Sequence, residues 1–94
     1  MINTVTHEGV TYIRKGKAMS HAVVTLSTKT NYSGAPRPLV EWASSLELAQ
    51  KNHSAILARA DKVARTGSLG GVFSAEYYSP EHFKYSVIVE ATHG

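Results

Sequence analysis

Along residues 44–65, SSLELAQKNHSAILARADKVAR, apolar side chains return in steps of three and four. At 3.6 residues per turn, Leu46, Ala49, His53, Ile56, Leu57, Ala60, Val63 and Ala64 fall on one stripe, which predicts an amphipathic helix over about 45–65 with that stripe toward a core. Ser44 or Ser45 supplies an N-cap, Glu47 suits the positive end of the helix dipole, Lys62 and Arg65 suit the negative end, and Gly67 can close the helix in a left-handed conformation.

Elsewhere the pattern has period two. Residues 3–7 and 10–14 predict two short strands joined at His7-Glu8-Gly9. In residues 19–28, Ala22, Val24 and Leu26 alternate with Val23, Thr25 and Ser27, the pattern of a central strand. Residues 29–38, KTNYSGAPRP, read as a surface loop. Residues 39–43 return as a strand leading into the helix cap, with Trp42 expected in the core under the helix. After a glycine-rich connection at 66–71, residues 72–78 and 85–91 alternate and predict a second hairpin about Ser79-Pro80-Glu81-His82. The expected fold is α+β: a mostly antiparallel sheet of about five or six strands with one helix packed on one face.

The 94 residues suit one domain, 1–94, and 43% hydrophobic with 18% charged content is that of a chain that folds. No apolar run approaches the roughly 20 residues that span a bilayer, and Met1-Ile2-Asn3 does not open a signal peptide, so no membrane partner and a cytoplasmic location are expected. The absence of cysteine removes disulfides, thiolate metal sites and a cysteine nucleophile.

Candidate chemistry is sparse. Ser20 and His21 are adjacent, and neighbours in a strand point to opposite faces, so neither is expected to serve the other without a bend. His7, His21, His53, His82 and His93 lack metal-ligand spacing, and His53 reads as a boundary or core histidine with a satisfied ring nitrogen. The glycines at 67–71 lead into a predicted strand, whereas phosphate loops lead into a helix. No enzyme, cofactor or metal is expected.

Two surfaces remain. Leu48, Lys51, Ala55, Arg59 and Lys62 form a second, mostly basic stripe on the outer side of the helix, suited to an acidic partner. The alternative is a pair of basic loops, Arg14, Lys15 and Lys17 with Lys29, Tyr32 and Arg37, where a tyrosine among cations could stack on a nucleobase. The formal charge of +3 is compatible with either.

The stretch LVEWASSLELAQKNHSAI, a short strand running into a capped helix, gives the chain a loose architectural likeness to small phage-encoded anti-CRISPR proteins. Several of those are cysteine-poor domains of similar size with a helix on an antiparallel sheet. The likeness implies a non-enzymatic inhibitor that docks on a host macromolecular complex in an anti-CRISPR or other anti-defence role. It carries over no functional residue, and many such proteins are acidic nucleic-acid mimics where this chain is basic. The partners expected are therefore a larger protein or nucleoprotein complex, with direct nucleic-acid binding as the alternative function and a homodimer as a further association.

Overall fold

The computed structural model describes residues 1–30, 34 and 38–93. In chain order the elements are β1 (Ile2–His7), β2 (Val10–Lys15), β3 (His21–Ser27), β4 (Leu39–Ala43), α1 (Leu46–Thr66), α2 (Val72–Tyr77), β5 (Phe83–Glu90) and β6 (Thr92–His93). The fold is α+β, and the six strands among the described residues are divided between two antiparallel sheets ordered β2-β1-β6 and β4-β3-β5.

The first hairpin forms as the pattern predicts. Glu8 and Gly9 both take positive φ, 50° and 76°, the two left-handed residues that a tight hairpin turn of matching twist requires. β3 is the central strand of the second sheet, and its faces alternate. Val23 points toward α1 and packs with Ala43, Ala49, Ile56 and Val63; Ala22 and Val24 point away and pack with Val5 of the first sheet. The molecule is thus three layers: α1, the β4-β3-β5 sheet, and the β2-β1-β6 sheet.

α1 has the expected caps. Ser45 Oγ accepts the Leu48 amide hydrogen at 3.1 Å, and Gly67, at φ 73°, donates its N–H to the Val63 carbonyl at 2.7 Å. Its buried line is narrower than the sequence stripe: Ala49, Ile56 and Val63 are buried, while Leu46 and Leu57 are exposed. At about 100° per residue, Leu46, Leu57 and Ala64 fall roughly 80–100° from the middle of that line. A single sheet beneath the helix contacts only the line itself, so Leu57 lies outside the core.

Trp42 also departs from expectation. It faces away from α1 and packs beside Val40, Val87 and Val89 over the other sheet, while Ala43 fills the position under the helix. Ala43 and Ala49 are both fully buried, and this pair of small side chains lets the helix lie close to the strand. An indole at that position would force the layers apart.

The third departure is residues 72–78. Residues 72–77 form the short helix α2, with Tyr78 as its C-cap, and not a strand, so β5 has β3 and not a hairpin partner as its neighbour. Tertiary bonds hold α2 in place: Tyr77 OH donates to the Thr25 carbonyl at 3.2 Å, and Ser27 Oγ donates to the Tyr77 carbonyl at 2.7 Å.

Candidate interaction surfaces

The outer face of α1 carries the predicted basic stripe as a real surface. Leu48, Lys51, Ala55, Arg59 and Lys62 are all exposed, Leu48 at 38%. Lys51 to Lys62 spans about 16 Å of helix. Among the described residues none of Lys51, Arg59 and Lys62 meets a carboxylate; the only helical ion pair is Arg65 with Asp61, 3.0 Å apart. The opposite flank adds the two leucines that the periodicity assigned to the core, Leu46 at 47% and Leu57 at 44% exposure. Their signal in the sequence was the seven-residue spacing of Ala49, Ile56 and Val63, which alone suffices for a one-sheet contact.

Of the two basic loops, Lys29 does not share a surface with Arg14, Lys15 and Lys17. Arg14, Lys15 and Lys17 sit at the end of the molecule where β3 begins, because Asn3 binds both this turn and Met19. Lys29 follows the other end of β3, six strand steps or roughly 20 Å away. Lys29 is also engaged: it pairs with Glu76 and lies 5.9 Å from the Phe73 ring centroid. That contact holds the Glu76 carboxyl below its ordinary pKa, chiefly through the hydrogen bond and charge of Lys29. Tyr32 and Arg37 lie outside the described residues.

The Arg14–Lys17 turn is held firmly. Asn3 is fully buried, its Nδ2 donates to the carbonyls of Arg14 (3.1 Å) and Lys17 (3.0 Å), and its Oδ1 accepts the Met19 amide hydrogen (2.7 Å). Two carbonyl partners and one N–H partner permit only one amide orientation. The cations Arg14, Lys15 and Lys17 remain exposed and unpaired among the described residues.

Ser20 and His21 do meet, contrary to expectation, because the chain bends at Ser20 before β3 begins: His21 Nδ1 lies 2.7 Å from Ser20 Oγ. The Ser20 backbone is clamped on both sides, donating to the Ala43 carbonyl and accepting from the Ala91 amide. No second hydrogen bond orients the His21 ring among the described residues, and an activated serine needs a base that is itself held. The contact is a local one at the start of a strand.

The remaining histidines have structural partners. His53 Nε2 donates to the Ser86 carbonyl at 2.8 Å, the satisfied ring that the sequence suggested. His7 Nε2 meets Tyr85 OH at 3.0 Å, His82 Nδ1 meets Thr28 Oγ1 at 2.9 Å, and His93 Nε2 donates to the Met19 carbonyl at 2.6 Å. Among the described residues no three histidine, aspartate or glutamate side chains gather as a metal site would need. An open groove at the C-terminal end of α1 is lined by Val63, Glu76, Glu81 and His82; Glu76 and His82 are already bonded to Lys29 and Thr28. No described helix is long and apolar enough to cross a membrane. No protein-family model matches the chain, and neither does any curated protein or solved structure.

Proposed function

We propose that this chain is a small non-enzymatic binding protein that docks through the outer face of α1 onto an acidic protein or nucleoprotein surface. The observation that carries the reading is the row Leu48, Lys51, Arg59 and Lys62: exposed, aligned on one rigid helix, and without internal anionic partners among the described residues. Leu48, exposed at the start of the row, supplies apolar area in addition to charge. Occupation of a site on a larger complex, the mode of the phage-encoded inhibitors the sequence resembles, is the action proposed.

The test is retention of a partner from bacterial lysate by the wild-type chain and by a Leu48→Glu, Lys51→Glu, Arg59→Glu variant. The wild type should retain a defined acidic complex at moderate salt, and the folded variant should lose it. Equal retention by both would remove α1 from the interface.

A second reading, direct nucleic-acid binding, is favoured by the rigid, unpaired Arg14–Lys17 turn. Phosphate contacts would make that affinity fall steeply with salt, and absence of any complex with DNA or RNA at low salt would eliminate it.

A further inference from the structure

Among the described residues β2 is an edge strand, and the hairpin geometry fixes which of its backbone groups are free of partners there. A two-residue turn at Glu8-Gly9 makes His7 and Val10 a hydrogen-bonded pair, and by alternation Val5 with Tyr12 and Asn3 with Arg14. The Gly16 amide donating to the Met1 carbonyl at 2.9 Å continues the same parity. Thr11, Ile13 and Lys15 therefore direct their N–H and C=O groups away from β1, along an open edge. Ile13 is 62% exposed, and Val10 is exposed as well.

We infer that this edge pairs with β2 of a second copy of the chain, antiparallel about a twofold axis passing through Ile13. Such an axis stands normal to the sheet, so side chains on one face of a copy must continue the same face of the other, and opposed residues must share parity. Centring on Ile13 opposes Thr11 to the partner copy's Lys15 and satisfies every free amide and carbonyl of β2 on both strands. Ile13 then packs on its own copy. On the inner face Tyr12 stands across from Arg14, a cation over an aromatic ring.

Charge supports a second copy as the occupant. The hairpin is acidic at its turn, through Glu8, and basic at its other end, through Arg14, Lys15 and Lys17. Antiparallel pairing brings the Glu8 turn of each copy alongside the basic turn of the other, and like-charged residues do not oppose one another.

The pairing stands apart from the docking reading but has a consequence for it. An axis normal to the β2-β1-β6 sheet leaves the α1 layers of both copies on the same side, their outer faces pointing the same way. The dimer would hold two copies of the α1 row on one side of the assembly, an arrangement that raises avidity for a partner that reaches both.

Light scattering during size-exclusion chromatography tests the pairing as concentration is raised into the millimolar range. The wild type should move from 10.2 kDa toward twice that mass. Ile13→Pro removes an amide that β1 does not use and should stay monomeric; Ile13→Lys provides the same comparison should the proline variant unfold. Because the chain has no cysteine, Ile13→Cys should form an interchain disulfide on mild oxidation, whereas Thr6→Cys, exposed on β1 away from the axis, should not. A wild type monomeric throughout, a dimer that persists in the Ile13 variants, or equal crosslinking at positions 13 and 6 would each overturn the inference.

Discussion

Asn3 and Met19, sixteen residues apart, are joined by a 2.7 Å hydrogen bond from the Met19 amide to the Asn3 Oδ1. The same side chain holds the Arg14 and Lys17 carbonyls, so one fully buried amide sets the position of the basic turn and the entry into β3. Asn3→Ala would strand the Lys17 carbonyl and the Met19 amide, while the Arg14 carbonyl keeps its ladder bond from the Asn3 backbone, and should cost about 2–4 kcal/mol in urea denaturation. Asn3→Asp should be at least as damaging, because a carboxylate cannot donate to the two carbonyls. A loss below about 0.5 kcal/mol, the range of neutral surface changes, would mean that the turn is held by other contacts.

Two neighbouring helix residues of similar size should behave oppositely. Ile56 is 2% exposed and packs against Val23, and Ile56→Ala should cost about 2–5 kcal/mol through lost burial and a residual cavity. Leu57→Ala, at the solvent-facing flank, should cost less than about 1 kcal/mol. Comparable losses from both in thermal or chemical unfolding would place Leu57 in a second buried contact.

Tyr85 is one source of pH dependence on the alkaline side. Burial, and then the nearby Glu8 carboxylate, raises its phenol above the ordinary value of about 10. The folded state thus prefers the neutral phenol, and this contribution to stability is fully present below the unfolded pKa and lost as pH rises through the raised folded one. Denaturation midpoints of the wild type should therefore fall more steeply above about pH 10 than those of Tyr85→Phe. Parallel profiles would contradict the shift.

At the acid side, Glu76 should titrate below the usual glutamate range in a carboxyl NMR titration, and Lys29→Ala should return it toward that range. Its stabilising contribution is present above the unfolded pKa and lost as pH falls through the depressed folded value. Both side chains are solvent-accessible, so the substitution should change stability little. An unshifted Glu76 in the wild type would show that the pair does not persist in solution.

What the sequence conveyed depended on how long each pattern ran. The 21 residues of α1 with both caps, the Glu8-Gly9 hairpin and β3 were legible because several independent signals agreed. Residues 72–77 were not, since six residues fit either period: Phe73, Ala75 and Tyr77 alternate as a strand would, yet Phe73 and Tyr77 are also one helical turn apart and stack at 6.2 Å. Bonds from Thr25 and Ser27, fifty residues away, decided the outcome. The side of Trp42 was likewise set by how closely α1 approaches Ala43, a property of the assembled layers. At the candidate surfaces, the exposed row on α1 was readable from spacing, while the separation of Lys29 from the Arg14–Lys17 turn became visible only once Asn3 tied that turn to the start of β3.

The most direct measurement is the affinity of the retained partner for three folded proteins: wild type, the α1 variant Leu48→Glu, Lys51→Glu, Arg59→Glu, and a turn variant Arg14→Glu, Lys15→Glu, Lys17→Glu. All of the substituted residues are exposed, so melting temperatures should stay close to the wild type. The α1 variant should lose binding by two or more orders of magnitude on the scale of interface charge reversals, and the turn variant should keep most of it. An α1 variant that is folded and binds as the wild type does, with binding lost in the turn variant, would contradict the assignment of α1 as the docking face.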